Sequence, residues 1–231
     1  MILSYKNKFI FIKSQKTGGT SLEVALSNFC GDKDIITPIF PKSNEDLRKN
    51  FGFRGPQNYK TNAEVLVNNK IVKFEFFNHL PISVLKKIIP EEIFNRYYKF
   101  TIVRNPFDQI LSFYYWKVRG KLNTISFSNF CEQNAKNFFQ NEKKLISINN
   151  DLPYNKIIKY ENLQNDITYL DEKLNFNNEL ISIFQKIKLK SEYRTNKNYE
   201  KICNLSKKII IQEAYFFFKN FDYSEKIPNE I

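Results

Sequence analysis

The sequence predicts an α/β fold: a single domain built on a P-loop-like parallel β-sheet of about four or five strands flanked by helices. Three observations predict it. Apolar, β-rich runs alternate with helix-period patterns along the chain. Polar or glycine-bearing turns follow the strand runs. The 231 residues, 42% apolar and 16% aromatic, can bury one sizeable core and are marginal for two. With no internal repeat and no low-complexity linker, residues 1–231 read as one domain.

The elements follow in order. The first strand is Lys8 to Ser14. A helix from about Thr20 to Phe29 places Leu22, Leu26 and Phe29 on one face, and Gly31 stands where it should end. From Asp32 to Thr61, Pro38, Pro41, Gly52, Gly55 and Pro56 predict a long irregular excursion with room for one short helix. Long loops of this kind often carry function. A second strand, Ile71 to Phe77, ends at Asn78-His79, and a helix from Ile82 to Ile89 is stopped by Pro90. The third strand, Lys99 to Val103, runs into Arg104-Asn105-Pro106. Pro106 suits a first helical position, and that helix carries Ile110, Leu111, Tyr114 and Tyr115. Ser126 caps a helix reaching about Asn137. A short strand, Lys156 to Tyr160, meets Glu161-Asn162-Leu163 and a further helix. Lys188 to Tyr199 is polar and loop-like, and an amphipathic helix from about Leu205 to Phe218 closes the chain. In parallel sheets, ligands bind beyond the carboxyl ends of the strands. Lys16, His79, Arg104 and Glu161 each fall just past a strand, so one topology gathers them at one edge.

Charge and composition narrow the partners. The chain holds 36 Lys+Arg against 24 Asp+Glu, a net of +12. Such a surface attracts nucleic acid, anionic glycans, nucleotides or acidic membranes, or is simply a solvated Lys-rich face. No nucleic-acid motif is present, so no nucleic-acid partner is expected. Cys30, Cys131 and Cys203 are odd in number and lack metal or disulfide spacing. With one His in the chain, no metal site is expected. The run Phe9-Ile10-Phe11-Ile12 is far too short to span a bilayer and no signal-peptide pattern is seen, so a soluble, cytoplasmic protein is expected.

Two motifs carry chemistry. The first is strand, Lys16-Thr17-Gly18-Gly19-Thr20-Ser21, helix. Two glycines let backbone N–H groups approach an anion, the helix N-terminus adds partial positive charge, and Lys16 adds a full one. Thr20 and Ser21 can cap the helix and donate hydroxyl bonds. An ordinary strand-to-helix turn is the plainer reading. Lys precedes the glycines here, whereas it follows them in G-x-x-x-x-G-K-[ST], which disfavours a Walker-type kinase. The second motif is Thr101-Ile102-Val103-Arg104-Asn105-Pro106-Phe107-Asp108, with Ser112 about two helical turns beyond Arg104. Arg104 at a strand end can fork onto a phosphate, or it can pair with Asp108 as a structural ion pair.

Together these motifs resemble the two phosphate sites of sulfotransferases that use 3′-phosphoadenosine 5′-phosphosulfate (PAPS). Phe9 to Glu23 resembles the family's PKTGGTS segment, and Phe100 to Trp116 its VRNPFDRLVSFYHY segment. The likeness is closest to the carbohydrate branch, which includes Golgi-type and short bacterial enzymes. It continues more weakly through His79-Leu80-Pro81-Ile82, Lys159-Tyr160-Glu161-Asn162-Leu163 and Lys190-Ser191-Glu192-Tyr193-Arg194. Gln15 departs from the pattern, standing where the family usually has Pro. The resemblance implies that Lys16 stabilises the leaving 5′-phosphate and that Thr17, Gly18, Gly19, Thr20 and Ser21 cradle the phosphosulfate. It implies that Arg104 and Ser112 bind the 3′-phosphate, that PAPS is the donor and 3′,5′-bisphosphoadenosine (PAP) the product, and that no metal is needed. The acceptor would be a hydroxyl on a saccharide or other molecule.

His79 is the proposed general base, since imidazole titrates near neutrality. Glu75 and Glu161 compete for the role, although Glu161 also suits holding the loop around Tyr160. Lys190, Tyr193 and Arg194 either close over the nucleotide or form a solvated loop. Arg54 is a candidate to face the acceptor, and Trp116 and Tyr215-Phe216-Phe217-Phe218 read as core. Two rival functions stand beside this one. A kinase-like phosphotransferase would require Mg²⁺ and ATP. A non-enzymatic polyanion binder would show salt-dependent binding and no PAPS saturation.

Overall fold

The computed structural model describes residues 1–67, 70–119, 125–187 and 199–228, with backbone alone for 62–67 and 70–72. Its centre is a five-stranded sheet of Ile2–Ser4 (β1), Phe9–Ile12 (β2), Ile35–Ile36 (β3), Tyr98–Val103 (β6) and Lys156–Lys159 (β7), in the order β3-β1-β2-β6-β7. Strands β2, β6 and β7 run parallel, while β1 lies antiparallel to both β2 and β3. The predicted α/β sheet is therefore present, with an added β1–β2 hairpin that the sequence reading did not assign. That hairpin turns through Lys8, whose φ is +53°.

One predicted strand lies elsewhere. The run expected at Ile71 to Phe77 is Lys70–Glu75 (β5), and it pairs antiparallel with Lys60–Val67 (β4) in a separate two-stranded sheet. The reading that put it in the central sheet needs correction. An apolar alternating run specifies a strand but not its partner, and the nearest partner in the chain is a hairpin leg.

Period-2 alternation sorts the side chains to two faces. Phe9, Phe11, Phe100, Ile102 and Ile158 face one way, packing with Leu22 and Leu26 of Gly19–Ser27 (α1), Ile167 and Leu170 of Leu163–Lys173 (α7) and Leu180 of Glu179–Lys186 (α8). Phe100 lies on Phe9 and Phe11 with centroids 5.6 and 5.3 Å away. Leu3, Ile10, Ile12 and Val103 face the other way. They meet Ile82–Ile88 (α3), Pro106–Val118 (α5), Phe127–Ile146 (α6), Asn204–Glu213 (α9) and Tyr215–Phe221 (α10). Two short helices, Lys42–Asn50 (α2) and Glu91–Arg96 (α4), complete the order. Among the described residues, no helix is long and apolar enough to cross a membrane.

A buried ion cluster fastens these layers. Glu23 of α1 is fully buried and accepts from Lys13 Nζ at 2.5 Å, the Met1 amino group at 2.7 Å and Thr37 Oγ1 at 3.3 Å. Arg48 of α2, also fully buried, lies 3.8 Å from Glu23 and 3.4 Å from Glu45. Burial alone would raise the Glu23 pKa, but Lys13, the amino group and Arg48 bring it down to about 2. Removing one member of such a cluster leaves its partners charged and unpaired. Glu23→Ala should lower unfolding free energy by about 3–5 kcal/mol in urea titration. A loss below about 1 kcal/mol would show that the cluster adds little.

Candidate functional site

The parallel register lines up three strand ends. Ile12 sits opposite Thr101, and Val103 opposite Lys159. The residues that follow, Lys13–Gly18, Arg104–Asn105 and Tyr160–Asn162, therefore emerge side by side at one edge of the sheet.

The first loop is fixed by its own hydroxyls. Ser14 Oγ donates to the Ile102 carbonyl, and Thr17 Oγ1 donates to the Ser14 carbonyl at 3.2 Å and lies 3.0 Å from Ser14 Oγ. The Thr17 hydroxyl is thus committed within the loop. Lys16 (φ +61°) and Gly18 (φ +76°) both sit in the left-handed region. A Cβ at Gly18 would lie 3.1 Å from Tyr160 Cε2, and one at Gly19 would lie 2.7 Å from Lys13 Cγ. Both positions therefore need glycine. Helix α1 starts at Gly19 with no side-chain cap. The expected capping by Thr20 and Ser21 is not made, because both already lie inside the first turn, where the Ser21 amide donates to the Gly18 carbonyl at 3.1 Å. First-turn amides without a side-chain cap, together with the helix dipole, leave partial positive charge at this end of α1.

Arg104 joins this loop to the next two. Its Nη1 donates to the Lys16 carbonyl at 3.1 Å, and its guanidinium stacks on the Tyr160 ring at 4.0 Å. That stacking follows from register, since Arg104 and Tyr160 each come one residue after the paired Val103 and Lys159. Arg104 Nε is buried and unpartnered among the described residues. The alternative pairing with Asp108 is not made, and Asp108 instead accepts from Tyr199 Oη at 2.8 Å. Asn105 caps α5 through the Phe107 amide at 3.0 Å. Glu161 holds the junction by accepting from the Asn105 amide at 2.7 Å and Tyr223 Oη at 2.9 Å. Both oxygens of Glu161 are thus engaged in holding this loop. The Tyr223 pKa is pushed up, first by burial and then by Glu161.

His79 reaches the same edge although β5 is outside the central sheet. Its Nδ1 lies 2.8 Å from the Lys13 carbonyl. A carbonyl can only accept, so Nδ1 carries the proton and Nε2 keeps its lone pair. Burial, then the Lys13 charge, lowers the His79 pKa to about 4. Glu75, on the exposed side of β5, has no such placement.

Behind the loop, Glu142 of α6 is fully buried. Its Oε2 accepts from the Gln15 amide at 3.0 Å and from Gln109 Nε2 at 3.1 Å, and Gln109 Nε2 also donates to the Gln15 carbonyl at 2.8 Å. Burial pushes the Glu142 pKa up to about 8, against its two donors.

The remaining candidates stand as follows. Ser112 is half-buried on α5 with an uncommitted hydroxyl among the described residues. Arg54 pairs with Asp32 at 2.5 Å on the exposed surface. Trp116 is corrected from core to surface: it is 37% exposed, because it lies near the open end of α5, and Lys16 Nζ sits 5.5 Å from its ring. Tyr215 is likewise exposed, whereas Phe217 and Phe218 are core. Lys190, Tyr193 and Arg194 lie outside the described residues. The reading missed Lys13, Gln109 and Glu142. For Glu142 a signal existed, since it interrupts the apolar stripe Phe138, Phe139, Leu145, Ile146 at helical spacing. Among the described residues, no group of three or more His, Cys, Asp or Glu side chains is arranged to hold a metal ion.

The sequence matches the model of the sulfotransferase family over residues 1–224. No curated protein and no solved structure matches it.

The raised Glu142 pKa has a defined sign. Unfolded, this carboxyl ionises near its ordinary 4.5; folded, it holds its proton to about 8. Its contribution is complete below 4.5 and is lost as pH rises to 8. Glu142→Gln should therefore flatten the fall in urea-unfolding free energy between about pH 5 and pH 8. An unchanged slope would remove Glu142 from the titration.

Proposed function

Because the chain belongs to the sulfotransferase family, we propose that it transfers a sulfuryl group from PAPS to an acceptor hydroxyl on a saccharide, releasing PAP. The observation that carries the donor side is the Lys16–Arg104–Tyr160 junction, which sets two cationic strand-end residues beside one uncapped helix N-terminus. The buried, unpartnered Arg104 Nε fits a group that brings acceptor oxygens. Backbone amides from Thr17 to Ser21, with the Thr20 and Ser21 hydroxyls, hold the phosphosulfate. Arg104 and Ser112 take the 3′-phosphate.

The acceptor oxygen bonds to sulfur as the sulfur–oxygen bond to the 5′-phosphate breaks. The electron pair leaves with PAP, where Lys16 neutralises the growing charge. The acceptor proton passes to Nε2 of His79, the nitrogen left open by the bond to Lys13. The reading needs no metal, since Lys16, Arg104 and the helix terminus supply the positive charge. On the acceptor side, the exposed Trp116 ring lies 5.5 Å from Lys16 Nζ, and Phe77, two residues before His79 in the chain, is 49% exposed. Aromatic faces of this kind suit a ring-shaped acceptor. The three free cysteines favour a reducing, cytoplasmic setting.

Titration calorimetry tests the donor. PAP should bind at least about tenfold more tightly than AMP or ATP, the worth of one charge-assisted phosphate contact. Equal or absent binding overturns the reading. For mechanism, His79→Ala should keep PAP affinity and lower kcat by about 10²–10⁴-fold. Since protonation near pH 4 removes the His79 lone pair, the acid limb of kcat/KM should fall near pH 4. A limb at the ordinary imidazole value would place the titrating group elsewhere.

A further inference from the structure

We propose that Glu142 is a positioning residue for the Lys16 loop: together with Gln109 it grips both sides of the Gln15 main chain and so holds Lys16 in its left-handed conformation. The inference rests on the anion-binding role of that loop, and its test is arranged so that the two can fail separately.

The argument begins with the dihedral angles of Lys16. At φ +61° this residue sits where a non-glycine residue costs about 1–2 kcal/mol. Such a conformation persists only where the surroundings over-determine it. Two peptide planes set it. The plane before Lys16 carries the Gln15 carbonyl, which accepts from Gln109 at 2.8 Å. The plane after it carries the Lys16 carbonyl, which accepts from Arg104 at 3.1 Å. With both planes pinned, φ and ψ of Lys16 have little freedom. Glu142 completes the grip, since one oxygen takes the Gln15 amide at 3.0 Å and steadies the Gln109 amide at 3.1 Å.

Burial makes the arrangement purposeful. Glu142 and Gln109 are 0% and 1% exposed. Burying a carboxyl costs free energy unless it is hydrogen-bonded. A leucine at position 142 would continue the apolar stripe of α6 but would strand the buried Gln15 N–H. The grip also depends on Gln15 itself. Proline, which the resembled family segment carries at this place, has no N–H to give.

A double-mutant cycle decides the matter, with PAP affinity by calorimetry and amide hydrogen exchange across residues 14–18 as the readouts. Glu142→Ala should weaken PAP binding about tenfold or more and speed exchange in that segment, as loss of one buried hydrogen bond would. Glu142→Gln, which keeps an acceptor oxygen, should stay within about threefold of the parent on both. In a Gln15→Pro background, Glu142→Ala should lose most of its effect on both readouts. Equal effects in the two backgrounds, or a Glu142→Gln defect as large as that of Glu142→Ala, would overturn the proposal. Should Glu142→Ala not fold, Glu142→Leu, which keeps the packing of the α6 stripe but accepts no hydrogen bond, takes its place in the same cycle. Should the parent protein not bind PAP, the donor assignment falls while hydrogen exchange still decides this one. Loss of loop protection in Glu142→Ala and not in Glu142→Gln upholds it, and unchanged protection overturns it.

Discussion

The carboxylate of Glu23 is the point on which the rest of the structure hangs. It is fully buried and draws in Lys13 from the end of β2, the Met1 amino group ahead of β1, Thr37 beyond β3 and Arg48 from α2. Four stretches of chain far apart in sequence are thereby tied to the first helix. The cluster also reaches the site. Lys13 is held by its ammonium on Glu23, and its carbonyl holds His79. Its side chain packs so closely on Gly19 that no Cβ fits there. A cation buried for structural reasons therefore sets the start of α1 and the place of the lone imidazole.

The edge at the strand ends is shaped largely by backbone. Strand register brings Arg104 against Tyr160, and Tyr160 against Gly18, so guanidinium, ring and loop form one packed unit. The left-handed Lys16 and Gly18 bend the loop into the start of α1, whose first turn has no side-chain cap. Side chains that a sequence reader would assign to the ligand, such as the Thr17 hydroxyl, instead brace the loop from within.

Burial sets the protonation of two groups at this edge. Burial lowers His79 to about 4, so it is neutral at pH 7, and raises Glu142 to about 8, so it is mostly protonated there. The carboxyl directly behind the loop therefore grips Gln15 while mostly uncharged.

Much of this was legible in the sequence, and the boundary has a physical cause. The strand runs at Phe9–Ile12 and Tyr98–Val103, the Lys16–Ser21 loop, the Asn105-Pro106 helix start and the sulfotransferase resemblance are local patterns, carried by residues adjacent in the chain. Local patterns state what an element is and which residues lie at its end. They do not state what it packs on. Strand β5 was read correctly as a strand and wrongly as part of the central sheet, because pairing is set by a partner that alternation does not name. Trp116 was read as core because an aromatic residue on a helix does not reveal where the helix runs out of neighbours. Glu142 went unremarked because its helix runs on to Ile146, past the expected end at Asn137, and its partners are 33 and 127 residues away. The sequence by itself determined the fold class, the family and the two phosphate-type motifs. Tertiary structure alone decided which buried polar groups hold those motifs in shape, because a hydrogen bond between distant segments exists only once the chain has brought them together.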